Sequence, residues 1–232
     1  MSKYDKKFLI SGCGMSWGGQ ERKTWINIWR LAGADIIDCC GPAVSNQYIV
    51  NEAVKQIIVH QESVTDLILQ LTALGKLDVE ITPERKQVLV DPDTKRNFLH
   101  NSFWPSSMSR EHESKQSYYR WLWSPSLEIQ DLYTKLILLS SFCREHNIRL
   151  HIHQGYAIPW PTDSYVDLIN ICPFLPYNWN DEYTASPYYA DHDHSNSVPC
   201  LAFQFKLAER LAKHHHPELV DFIVKMLAKS KL

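Results

Sequence analysis

The feature that most constrains this chain is a recurring unit: a short apolar run, a turn carrying glycine, then a segment with helical period. Phe8 to Cys13 is the first such run. It ends at Gly12-Cys13-Gly14, and after Gly18-Gly19 the residues Trp25, Ile28, Trp29 and Ala32 recur at three-and-four spacing. Asp35 to Cys40 meets Gly41-Pro42, and Ser45 stands where it can cap a helix with an inner face of Ile49, Ala53 and Ile57, extended to His60. Asp66 to Thr72, reading DLILQLT, shows almost no polar alternation, as expected of a parallel strand covered on both faces. From Leu127 to Asn147 the residues Ile129, Leu132, Tyr133, Leu136, Leu139 and Phe142 fall on one helical face with Asn147 as C-cap, and Ile148 to His153 follows as a fourth strand. Strands that alternate with helices predict an α/β fold, with a parallel sheet and right-handed crossovers.

With 232 residues and ordinary globular composition, the chain can bury about 70% of its unfolded surface, so residues 1–232 are expected to form one domain. Residues 78–124 interrupt the rhythm. VEI and QVLV flank Pro83, Asp91-Pro92-Asp93 follows, and then a stretch rich in Ser, Trp and Tyr, which together read as a hairpin or excursion and then a surface insertion. The segment after His153 is rich in Pro and aromatics and reads as irregular. Two helices, at about 198–213 and 217–229, close the chain, with His214 to His216 as solvated residues between them. A net charge of -2 gives no broad positive field, which argues against nucleic acid or an anionic membrane surface as partner. The six cysteines include no CxxC and are expected to be reduced thiols. The run beginning at Phe8 is too short for a signal-peptide core, and no run approaches the ~20 apolar residues of a membrane helix, so a cytoplasmic location is expected.

In an open α/β sheet ligands bind beyond the carboxyl ends of the strands. The segments at issue are therefore 12–18, 41–46, 70–72 and 151–156, together with Asp191-His192-Asp193-His194 before the penultimate helix. Gly12-Cys13-Gly14-Met15-Ser16-Trp17-Gly18, Ser45-Asn46, LILQLT, NIRLHIH and Asp191-x-x-His194-Ser-Asn resemble, in order and placement, the SGNH/GDSL hydrolases. The nearest likeness is to a subgroup common in phages and bacterial polysaccharide loci whose first motif reads Gly-Cys-Ser. The resemblance implies a three-layer α/β/α sandwich of flavodoxin-like type, with a central parallel sheet of four or five strands. It also implies ester hydrolysis, on an acylated carbohydrate or small ester, without a cofactor or a metal. A virion or host-cytoplasm setting would follow if the chain is phage-encoded, and a homo-oligomer is allowed.

The resemblance makes His194 the general base and Asp191 its orienter. Ala43 or Val44, with Asn46, Gln70 and Thr72, would supply oxyanion or substrate contacts. The family's serine aligns with Gly14, which has no side chain. Ser16 is then the nearest nucleophile, its alternative role being to hold the turn, and Cys13 is a further candidate. A non-catalytic binding or structural relative is the rival that Gly14 favours. A metal-dependent hydrolase built on the His and Asp clusters is a second rival. His151 and His153 project to one face of a strand, as metal ligands do, and are expected to line the core or a pocket.

Overall fold

The computed structural model describes residues 6–13, 16, 24–41, 44–60, 63–80, 98–101, 121–161, 174–185 and 201–229. In chain order its elements are β1 (Lys7–Gly12), α1 (Trp25–Leu31), β2 (Asp35–Asp38), α2 (Asn46–His60), β3 (Asp66–Leu71), β4 (Leu77–Glu80), β5 (Phe98–Asn101), α3 (Pro125–Glu145), β6 (Arg149–Gln154), β7 (Phe174–Asn178), α4 (Trp179–Thr184), α5 (Leu201–His215), a 3-10 turn (Pro217–Leu219) and α6 (Val220–Lys229). Among the described residues, five strands form one sheet in the order β2-β1-β3-β6-β7, and every pairing in it is parallel. All six residues of β3 are buried, which is why that run needs no polar face.

Alternation along each strand divides the core. Leu9, Leu67, Leu69, Leu150 and Ile152 pack with Ile49, Ala53, Ile57, Leu132, Leu136 and Leu139 from α2 and α3. Phe8, Ile10 and Ile68 face the other way, against Trp25, Trp29, Ala208, Leu211 and Ile223 from α1, α5 and α6. The result is a three-layer α/β/α sandwich, the fold class expected.

Local signals hold where the sequence placed them. Ser45 caps α2, its Oγ accepting the Tyr48 N–H at 3.1 Å. Asn147 takes a φ of 56°, which Asn tolerates better than most residues, and the next N–H, on Ile148, returns to the Cys143 carbonyl at 2.8 Å. Together with the Asn147 N–H to Arg144 carbonyl bond at 3.2 Å, this closes α3 in the paired pattern common at helix ends. The excursion read over 78–124 lies mostly outside the described residues. Within it, β4 pairs antiparallel with β5, so Val79 and Glu80 find their partners in Leu99 and Phe98 across an intervening stretch. The segment read as irregular contributes β7, a fifth strand.

One expectation is corrected. His215 and His216 are buried, with 7% and 1% of their surface exposed, because α5 runs on to His215, which meets β6, and His216 packs against Phe8 of β1. His153 Nε2 and His215 Nε2 lie 3.0 Å apart, the His151 and His215 rings are 4.2 Å apart, and His151 Nε2 is 3.1 Å from the buried Asp66 carboxylate. Burial alone would raise the Asp66 carboxyl, but bonds from His151, Thr65 and Arg149 hold it below the ordinary value. Burial pushes His153 well down, and His215 down to about 3, with neighbouring His151 and His214 acting in the same direction. Lys6 also opposes protonation of His215, while Asp66 favours it.

A neutral imidazole in the fold and an ordinary one in the unfolded chain fix the sign of the pH dependence. The unfolded chain binds protons first, so stability is fully present above about pH 6.5 and declines as pH falls toward the folded value. Urea unfolding is expected to show a loss of about 2 kcal/mol from His215 alone between about pH 7.5 and pH 5, and His215→Leu is expected to flatten that slope.

Candidate active site

The sheet order places β1 between β2 and β3, with α1 on one face and α2 on the other. The chain thus turns to opposite faces on the two sides of β1, and in such sheets the crevice at the carboxyl ends of β1 and β3 is where ligands enter. Gly12 and Gln70 are register partners there. The Gln70 side chain, fully buried, reaches across to the end of β1. Its Oε1 accepts the Cys13 N–H at 3.2 Å, and its Nε2 donates to Cys13 Sγ at 3.1 Å and to the Leu71 carbonyl at 3.3 Å.

Two glycines make room for that amide. A Cβ at Gly12 would lie 2.9 Å from Gln70 Cβ, and one at Gly155, just past β6, would lie 1.9 Å from Gln70 Nε2. The Gly155 N–H donates to the Leu71 carbonyl at 2.8 Å, which brings the end of β6 against the same amide. Three neighbouring strand ends therefore meet at one side chain.

The turn after β1 is held from both sides. The Ser16 N–H donates to the Cys13 carbonyl at 2.9 Å, and the fully buried Ser16 Oγ accepts the Trp25 indole N–H at 3.0 Å. The Trp25 backbone N–H at the start of α1 is in turn satisfied by Gln204 Oε1 of α5, at 3.0 Å. On the β2 side, the Cys39 N–H donates to the Ile10 carbonyl at 2.8 Å and the Gly41 N–H to the Gly12 carbonyl at 2.9 Å. Burial, with Glu52 and Asp38, pushes the Cys39 thiol up to about 12, and burial also raises Cys40, so neither supplies a thiolate near neutrality.

Asn46, at the first turn of α2, clamps the residue after β3. Its Oδ1 accepts the Thr72 N–H at 2.8 Å and its Nδ2 donates to the Thr72 carbonyl at 3.0 Å. Lys76 Nζ donates to Thr72 Oγ1 and sits 5.5 Å from the centre of the Tyr156 ring. Burial, with the Cys13 sulfur, pushes the Tyr156 hydroxyl up to about 12.

Of the residues the sequence singled out, Cys13, Ser16, Val44, Asn46, Gln70 and Thr72 are described, and all six are buried at this edge. Gly14, Ala43, Asp191 and His194 lie outside the described residues. The side chains of Gln70 and Asn46, expected to supply oxyanion or substrate contacts, bond the backbone of Cys13 and Thr72. Lys76 was missed because the strand-end segment was closed at Thr72, although Gly75-Lys76 at a turn was a usable sign. His151 and His153 line the core beneath α5, as expected. Among the described residues, Cys13, Cys39, Cys40 and Cys143 are free thiols, and no group of three or more His, Cys, Asp or Glu is placed to hold a metal.

No protein-family model and no curated protein matches the chain. Solved structures do match. The structure of TesA is similar at a TM-score of 0.50 with 10% identity, covering 92% of this chain and 99% of that one. LAE5, an alpha/beta hydrolase enzyme from the metagenome of Lake Arreo, Spain, is similar at a TM-score of 0.50 with 12% identity, covering 90% and 94%. The psychrotrophic esterase EstA from Pseudoalteromonas sp. has a TM-score of 0.49 and 12% identity, covering 96% and 99%. At such identities the first two likenesses establish a shared α/β fold over nearly the whole chain.

The crowding at Gln70 has a measurable consequence. Gly155→Ala is expected to displace the amide, break its bonds to Cys13 and lower the unfolding free energy by about 1–3 kcal/mol in urea titration.

Proposed function

We propose that this chain is an SGNH-type esterase acting on an acylated carbohydrate or other small ester, with turnover weakened by Gly14 at the serine position. The observation that carries this reading is the placement of Gly12-Cys13 at the β1–β3 switch point, where Gln70 fixes the end of β1. A reaction at that edge needs a nucleophile, a base, an orienter and oxyanion donors within a few ångströms. His194 is proposed as base, with Asp191 holding its imidazole in the reactive orientation. Backbone N–H groups after β1 and at Ala43 or Val44 are proposed as oxyanion donors, beside Thr72.

A serine at position 14 would attack the ester carbonyl carbon through Oγ while its proton passes to His194. The tetrahedral oxyanion would collapse, expelling the alcohol, which takes that proton, and water would release the acyl group by the same two steps. Gly14 supplies no attacking oxygen, while the sequence keeps Asp191 and His194 as the proposed orienter and base. Ser16 is a poor substitute, since its Oγ is buried and already accepts the Trp25 indole N–H. That same bond favours a second reading, in which the site binds an ester without cleaving it.

Hydrolysis of p-nitrophenyl acetate separates these readings. The native chain is expected to show at most the residual ~10³ to 10⁴-fold acceleration that an oxyanion hole and binding supply without a nucleophile. Gly14→Ser is expected to raise the rate by at least about tenfold, short of the roughly 10⁶-fold that a complete triad supplies. Robust native hydrolysis abolished by Ser16→Ala would assign the nucleophile to Ser16. Hydrolysis that survives Ser16→Ala and disappears with chelator would replace the serine reading with a metal-dependent one. No hydrolysis by either the native chain or Gly14→Ser would favour the binding protein.

A further inference from the structure

A cavity of about 370 Å³ opens beside the candidate active site, between the start of α2, the turn joining β3 to β4, and the start of α3. That volume lies near the lower end of the range of about 300–1,000 Å³ for small-molecule clefts. Lys76, Lys135, Glu128, Asp131, Asn46 and Trp123 are among its lining residues, and Lys135 Nζ already donates to Asp131 Oδ2 and Gln47 Oε1. The two signs balance, so the lining selects neither an anion nor a cation by net charge. Leu122, Leu127 and Leu132 share the lining and would meet an acyl chain, but such a chain returns no hydrogen bond to the charged groups beside them. A neutral polyhydroxylated ring answers both objections. Its hydroxyls donate to carboxylates and accept from ammonium groups, and its C–H face packs on an aromatic ring.

Glu128 and Trp123 form the fixed part of this wall. Glu128 Oε2 accepts the Trp123 indole N–H at 2.7 Å and the Gly75 N–H at 2.8 Å, while Oε1 takes part in neither bond. Burial raises the Glu128 carboxyl, as for a carboxylate short of water, against the lowering effect of those two bonds. The cavity also shares residues with the reaction edge. Asn46 holds Thr72 by both backbone groups, and Lys76 bonds Thr72 Oγ1 and lies over Tyr156, whose hydroxyl feels the Cys13 sulfur.

We propose that this cavity holds the sugar ring on the alcohol side of the ester, with Glu128 and Trp123 determining specificity for a neutral, hydroxyl-rich ring. The assignment of the ring to the alcohol side rests on the esterase reading above; the binding of a sugar does not.

The test is isothermal titration of the native chain with maltose, cellobiose and N,N′-diacetylchitobiose, with butyrate as the acyl probe and glucuronate as the anionic probe. At least one disaccharide is expected to bind below roughly 20 mM. Glu128→Gln and Trp123→Leu are each expected to weaken that binding at least tenfold in protein that still unfolds in one cooperative transition above the assay temperature. Should Trp123→Leu fail to fold, Asp131→Asn at the exposed rim is expected to weaken it severalfold. Absence of disaccharide binding overturns the proposal, as does binding that all folded variants retain. Butyrate or glucuronate binding that these substitutions weaken, in place of disaccharide binding, overturns it too. Ester hydrolysis without sugar binding leaves the esterase and removes the cavity's role. Sugar binding without hydrolysis, in both the native chain and Gly14→Ser, leaves the cavity and removes the esterase.

Discussion

The carboxyl edge of this sheet depends on one buried amide. Gln70 lies at the level where β1, β3 and β6 end, and its carboxamide meets the Cys13 N–H and sulfur as well as the Leu71 carbonyl. A buried amide has to be satisfied, since each unmet donor or acceptor costs about 1–3 kcal/mol, and here the protein supplies partners from two strand ends. Because the two bonds to Cys13 span 57 residues of sequence, they fix the height of the Gly12-Cys13 turn against β3. Gly12 and Gly155 are small because the amide occupies the space that a Cβ would need. The register of the three strands and the shape of the candidate site thus share one cause.

The polar residues of the molecule fall into two sets with different physical roles. At the carboxyl edge, Asn46, Gln70 and Ser16 spend their side chains on backbone groups and the Trp25 indole, which stiffens the loops that a ligand would meet. Asp66, at the start of β3, is held by the exposed Arg149 guanidinium and joins His151, His153 and His215 in a group between β6 and α5. That second set ties the last helices to the sheet through His153 and His215, whose imidazoles burial keeps neutral. It is where the molecule is sensitive to acid, whereas the carboxyl edge is where it is sensitive to steric change.

The turn after β1 shows how much of a site a packed core can take over. Ser16 would be exposed if it were poised for attack, yet the edge of Trp25 reaches it while the same ring packs against Trp29 and Trp179. The serine serves the aromatic layer between the sheet and α5. Gly14, two residues earlier, is then the position at which a nucleophile has to be tested.

The sequence by itself determined the elements whose causes are local. DLILQLT reads as a doubly covered strand because its apolar residues run on with almost no polar alternation. Ser45 and Asn147 mark helix ends because their side chains and backbone preferences act within four residues. The Gly12-Cys13 turn at a strand end, and hence the edge on which to look for a site, follows from the same kind of signal. Tertiary structure decided what depends on register and on partners far along the chain. β7 was hidden in a segment with no clear period, and β4 found β5 only across an intervening excursion. His215 and His216 read as solvated because their burial comes from β6 and β1, far away along the chain, which no local pattern encodes. Gln70 and Asn46 were recognised as polar residues at strand and helix ends, but whether such an amide faces a ligand or locks a backbone depends on atoms 57 and 26 residues away, brought near only by the folded sheet.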